Sequence, residues 1–132
     1  MSNYTFSVTI PGPFEEAGRR VTEALSAEGF GVLSTVDVAQ TLARKLGVTI
    51  PPYVILGACN PQEAHAALSA DPDLGALLPC NVVLRGRSDG RVDVVFMDPE
   101  AVLALVARPE IAAVAHRVRT KLHRIADTLA PT

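Results

Sequence analysis

The run Tyr53-Val-Ile-Leu-Gly-Ala-Cys-Asn-Pro-Gln-Glu63 changes character in its middle. Up to Ala58 it is short, apolar and partly β-branched, and Pro51-Pro52 blocks any helix ahead of it, so it reads as a strand. Asn60 is a good helix N-cap, and Pro61 suits the first helical position because its missing N–H would have had no partner there. Glu63 stands three residues beyond the cap, where its side chain can reach back to a free amide. A helix from Pro61 to Ser69 follows, with Cys59 at the strand-to-helix junction. Further on, Leu78-Pro-Cys-Asn-Val82 repeats the Cys-Asn pair at the opening of another strand, Asn81 to Arg85. Both thiols of the chain therefore stand at junctions between element types.

Upstream, Tyr4-Thr-Phe-Ser-Val-Thr-Ile10 alternates large apolar and small polar residues, the period of a strand with Tyr4, Phe6, Val8 and Ile10 turned inward. Pro11-Gly-Pro13 ends it. Phe14, Gly18, Val21 and Leu25 then recur at helical spacing up to Gly29. Phe30 to Val36 is a second strand, and Asp37 caps a short helix from Val38 to Leu46 that Gly47 closes. Downstream, Asp71-Pro-Asp73 punctuates the chain and Leu74 to Leu78 forms a short turn or helix. Gly86-Arg-Ser-Asp-Gly90 is a hairpin loop leading to the strand Arg91 to Met97, with Val92, Val94 and Phe96 inward. Asp98-Pro-Glu100 starts a helix through Val106, and Pro109 starts another with an apolar stripe of Ile111, Val114, Val118, Leu122, Ile125 and Leu129.

This order predicts an α+β fold in which a single layer of largely antiparallel sheet is covered on one face by helices. Residues 1–132 are expected to form one domain, with a core from about 4 to 107 and a long terminal helix from about 109 to 130. The 132 residues carry 12 basic and 14 acidic side chains, a net charge of −2 that leaves no electrostatic footprint for nucleic acid. Hydrophobic residues make up 48% and aromatic ones 5%, so the core must be built from aliphatic side chains. No apolar run has the length of a membrane span, and the start of the chain lacks the charged-then-apolar order of a signal peptide. A soluble, cytoplasmic protein with neither nucleic-acid nor membrane partners is expected, its two cysteines free rather than a structural framework.

Cys59 is the candidate catalytic residue, because the start of a helix favours a thiolate. The plainer account is a small apolar residue at a crowded corner. Cys80, between Leu78, Pro79, Val82 and Val83, has the surroundings of a core residue. His65 is a candidate ligand group or assistant to Cys59, although a lone histidine on an Ala-rich helix is more often a surface or packing residue. Asn60, Cys80 and Asn81 are candidate ligand contacts, though capping and local backbone bonds account for such asparagines. Cys59, Cys80 and His65 could hold a metal, yet no Cys-x-x-Cys or paired-histidine spacing supports one. The last helix places His116, His123 and Asp127 near one stripe, among Arg117, Arg119, Lys121 and Arg124, which reads as a solvated face. Phosphate loops, dinucleotide fingerprints and nucleophile elbows are absent, so whether the chain is an enzyme stays open, as does any cofactor.

Glu28-Gly-Phe-Gly-Val-Leu-Ser-Thr-Val-Asp37, Leu42-x-x-Lys-Leu-Gly47, Tyr53 to Pro61 with Ala64-His65, Asp71-Pro-Asp73 and Leu77-Leu-Pro-Cys-Asn-Val82 resemble the bacterial and archaeal family called domain of unknown function 302. The resemblance runs from about Phe6 to Met97. It implies a compact α+β domain similar to TATA-box-binding-protein-like folds and a tendency to homodimerise, and it carries over Cys59, Asn60, Pro61, His65, Cys80 and Asn81. No activity comes with it. The leading expectation is a homodimeric module that binds a small molecule or partner at the two Cys-Asn junctions. Its alternatives are thiol redox or sulfur transfer through Cys59, a soft-metal or haem site at Cys59, Cys80 and His65, and a purely structural subunit.

Overall fold

Strands with one apolar face need a layer to bury it, and here that layer is helical. The structure is a computed structural model describing residues 3–131. Met1 and Ser2, where the reading of the N-terminus begins, and Thr132 lie outside the described residues. Strands β1 (Thr5–Ile10), β2 (Gly31–Asp37), β3 (Tyr53–Cys59), β4 (Cys80–Gly86) and β5 (Val92–Met97) form an antiparallel sheet in the order β1-β5-β4-β3-β2. Strands consecutive in sequence from β2 to β5 are thus neighbours in space. The helices are α1 (Phe14–Ala27), α2 (Val38–Leu46), α3 (Pro61–Ala70), α4 (Pro99–Leu103) and α5 (Pro109–Leu129), with a short 3-10 helix at Pro72–Leu77. The chain is α+β, as its order of elements predicts.

Register sorts the side chains onto two faces. Phe6, Phe96, Val82 and Leu56 pair across four strands, and so do Val8, Val94, Leu84 and Val54; these rows meet the helices. Ala17, Val21 and Leu25 of α1, and Ile111, Leu122, Ile125 and Leu129 of α5, close the core above them. The opposite face carries an apolar row, Val36, Ile55, Val83 and Val95, and a polar row in which Asp93 takes a hydrogen bond from Thr9 at 2.7 Å and an ion pair from Arg85 at 3.1 Å. Val36, 47% exposed, ends the apolar row at the sheet edge.

Caps fall where the polar residues announce them. Asp37 accepts from the Gln40 amide at 2.9 Å, Asp71 from Asp73 at 3.1 Å and Asp98 from Glu100 at 3.0 Å. Three details depart from the sequence expectations. Tyr4 is exposed, because β1 begins only at Thr5. The helix after Asp98 ends at Leu103 rather than Val106. Its successor opens at Pro109, and the residue before a proline is pushed into an extended conformation, here Arg108 at φ −135° and ψ 132°. His123 leaves the solvated face and stacks on Phe6, centroids 3.9 Å apart, and Phe6 stacks in turn on Phe96 at 5.2 Å.

Gly57 sits where β2, β3 and the segment before β4 crowd together. A Cβ there would collide with the Ser34 hydroxyl and lie 2.9 Å from the Pro79 ring. Ser34 can rotate away, but Pro79 has no comparable freedom. Gly57→Ala is therefore expected to cost about 1–3 kcal/mol, read as a lower denaturant midpoint at unchanged slope; wild-type stability would show that the Pro79 segment yields.

Candidate functional site

The junction at the end of β3 is held by a polar chain. The Asn60 side-chain oxygen accepts from the Glu63 amide at 3.4 Å, and its Nδ2 donates to the Glu28 carbonyl at 3.4 Å. The start of α3 is thereby tied to the end of α1. Gly29, at φ 85°, lets the chain turn beneath the Asn60 amide, 3.2 Å from where a Cβ would stand. Asn60 and Glu63 are the two buried polar residues among the described ones.

Glu63 does more than approach a free amide. Arg117 Nε lies 3.0 Å from each carboxylate oxygen, its Nη2 2.9 Å from Oε1, and Lys121 Nζ 3.3 Å from Oε2. One buried carboxylate thus joins α3 to two successive turns of α5. The remaining cations of that stretch are also committed: Arg119 to Asp98 at 3.1 Å, Arg124 to the Glu28 carboxylate at 2.9 Å. The bonds from Arg117 hold the Glu63 carboxyl below its ordinary range, against the opposing effect of burial and with help from Lys121.

Between this clamp and the end of the sheet lies a cavity of about 290 Å³. Ala58 and Cys59 of β3 and Asn60, Glu63, Ala64 and Ala67 at the start of α3 form one wall. Leu78, Pro79 and Cys80 form a second, and Pro99, Leu103, Val114 and Val118 of α4 and α5 a third. Leu33, the residue at the β2 irregularity, and Leu68 stand on its lining while remaining exposed, Leu33 by 71%. A hollow of about 440 Å³ at the bend between α4 and α5 contains neither cysteine. The smaller cavity is the better candidate, being apolar with a few convergent polar groups.

Three of the five residues singled out from sequence meet at this cavity: Cys59, Asn60 and Cys80. His65 is exposed and absent from the lining, and Asn81, opposite Gly57, is exposed on the sheet. Cys80 pairs with Ala58, one residue from Cys59. Both are free, Cys59 half-buried and Cys80 buried. Burial, with a smaller contribution from Cys59, pushes the Cys80 thiol up to about 11, so at neutral pH it is protonated. Among the described residues no three His, Cys, Asp or Glu side chains converge as a metal site, so His65 does not join the cysteines. Sequence reading missed Glu63 as a wall residue because its capping role already explained it, and missed Leu33 because a strand irregularity has no sharp signature.

The model of the domain of unknown function DUF302 family matches residues 6–129. The chain belongs to that family. It is similar to the crystal structure of an uncharacterised conserved DUF302 protein from Bacillus stearothermophilus, with TM-score 0.88, 29% identity, and coverage of 97% of this chain and 99% of that one. An uncharacterised protein of Aquifex aeolicus is 27% identical over 86 residues, 65% of this chain. That match spans 54% of the Aquifex protein, about half its length. Among the described residues of this DUF302 chain no helix is long and apolar enough to cross a membrane.

Because the folded-state Glu63 pKa lies below its ordinary value, the clamp contributes stability above about pH 4.3 that is lost as pH falls through the lower, folded value. Glu63→Gln is expected to cost about 1–3 kcal/mol at pH 7, Arg117 being half exposed. The gap from wild type should narrow below pH 4 in urea unfolding at stepped pH; a pH-independent gap would assign the loss to packing.

Proposed function

We propose that this DUF302 protein is a small-molecule binding module of the cytoplasm, acting as a homodimer, with its site at the cavity bounded by Cys59, Asn60 and Cys80. The observation that carries the reading is the cavity's composition. Its walls are aliphatic, its polar groups are few and fixed by their own bonds, and exposed Leu33 and Leu68 stand on its lining. Such a surface suits a compact, largely apolar ligand that gains by leaving water. Asn60 offers a polar contact at one end, and the half-buried Cys59 a polarisable one. His65 and Asn81, away from the lining, have no part in the reading. The reducing conditions of the cytoplasm fit two free thiols.

The dimer is supported by apolar surface that the described fold leaves uncovered. Helix α2 buries none of its residues, although Val38, Leu42 and Leu46 recur every fourth position and Leu46 is 69% exposed. Val36 and Val48 flank it, and the Val36 to Val95 row continues across the sheet face opposite α1 and α5. A second copy meeting this surface would cover a continuous patch by a self-complementary contact.

An environment-sensitive apolar dye, such as an anilinonaphthalene sulfonate, is expected to bind wild type and raise its Tm by a few degrees. Ala64→Leu, which fills the cavity from α3, should lose that response while staying folded, and Cys59→Ala and Asn60→Ala should weaken it. Equal dye response in wild type and Ala64→Leu would remove the cavity from the site. Light scattering at micromolar concentration should give twice the chain mass, returning to one chain in the double variant Val36→Arg, Leu46→Arg; a monomeric wild type would end the dimer reading.

A further inference from the structure

We infer that the cavity is a slot for the hydrocarbon chain of a medium-chain aliphatic amphiphile, whose polar end stays in water at the mouth and whose length is limited by Leu103. The inference rests on the apolar-site reading above and names the ligand class that this site takes. Exposure falls from the rim inward. Leu33 is 71% exposed and Leu68 38%, whereas Leu103 is 5%, Val118 6% and Ala67 and Ala58 1% each. A ligand therefore enters past the two leucines and ends among buried aliphatic side chains. Phe30 carries the one ring on the lining, so burial of methylenes rather than stacking supplies the affinity.

The inner wall offers an ion no partner. Glu63 is the one Asp, Glu, Lys, Arg or His on the lining, and its carboxylate is held by Arg117 and Lys121. It neither accepts a ligand cation nor leaves those two cations free for a ligand anion. Asn60 is engaged by the Glu63 amide and the Glu28 carbonyl, and burial keeps the Cys80 thiol protonated at neutral pH. A charge carried inside would stay unpaired, which costs far more than a methylene gains. Size gives the length. A dry apolar hollow of about 150 Å³ holds one benzene ring, so this cavity of about 290 Å³ accommodates roughly ten carbons. Leu103 sets where the chain must stop. It is the one residue that lines both this cavity and the hollow of about 440 Å³ at the bend between α4 and α5. Its buried side chain closes one from the other, and truncating it joins them.

The test is a calorimetric titration with the straight-chain alkanoates from hexanoate to hexadecanoate, below their micelle-forming concentrations and at about pH 8, where every carboxylate is ionised. In wild type Kd should fall about fourfold for each added methylene until the chain has roughly ten carbons, and level off beyond. In Leu103→Ala the fall should continue for roughly two carbons more or longer, as the chain enters the second hollow. Decanedioate cannot keep both charges in water and should bind on the order of 100-fold more weakly than decanoate. A limit unmoved in Leu103→Ala would overturn the role of Leu103, and equal affinity for decanoate and decanedioate would overturn the uncharged interior. Should Leu103→Ala fail to fold, Leu103→Val takes its place: a longer limit is expected, and an unmoved one overturns the same claim. Dye response without binding of any alkanoate would end the chain slot and leave the apolar site standing, whereas loss of both would end both readings.

Discussion

The register between β3 and β4 is the constraint on which the site depends. Leu56 faces Val82, and Ala58 faces Cys80. Because side chains alternate strictly along a strand, slipping β4 by one residue would turn Val82 and Leu84 away from α1 and α5 and bring Val83 and Arg85 into the core. An arginine without a partner among aliphatic side chains is costly enough to forbid that arrangement. The same register that protects the core puts both Cys-Asn junctions at one end of the sheet. Their proximity is thus a by-product of burying valines and leucines.

At that end the packing is finished by charges. Helix α5 buries an aliphatic stripe and also reaches over α3, α4 and the end of α1 through Arg117, Lys121, Arg119 and Arg124. Pairs with exposed partners, such as Arg124 with Glu28, contribute little energy and chiefly orient the helix. Glu63 differs because its carboxylate is buried, where losing a partner leaves an uncompensated charge. The cavity beneath it persists because its walls belong to separate elements held apart by this clamp and by the Asn60 bonds, while the side chains facing inward, Ala58, Ala64 and Ala67, are too small to fill it.

The places where sequence reading departed from the structure share a cause. His123 looked like a member of a solvated stripe, as the exposed Asp127 is, but α5 crosses β1 so that the His123 ring covers Phe6. Helical periodicity tells which residues share a face and not what that face will meet. Tyr4 continued the alternation of β1 but lies before the strand and remains exposed. Glu63 had a local explanation that was sufficient, and that sufficiency hid its tertiary one.

Alternation, caps and proline positions in the sequence determined the elements, the antiparallel sheet and its helical cover, because these are local preferences acting within a few residues. The family resemblance was legible as well, in motifs around residues 28–37, 53–65 and 71–82. What only the tertiary structure decided is which of the candidate residues meet. Cys59 and Cys80 share a cavity because strand pairing joins residues about twenty positions apart, whereas His65, only six from Cys59, is carried round the helix to solvent. Closeness along the chain was no guide to closeness in space.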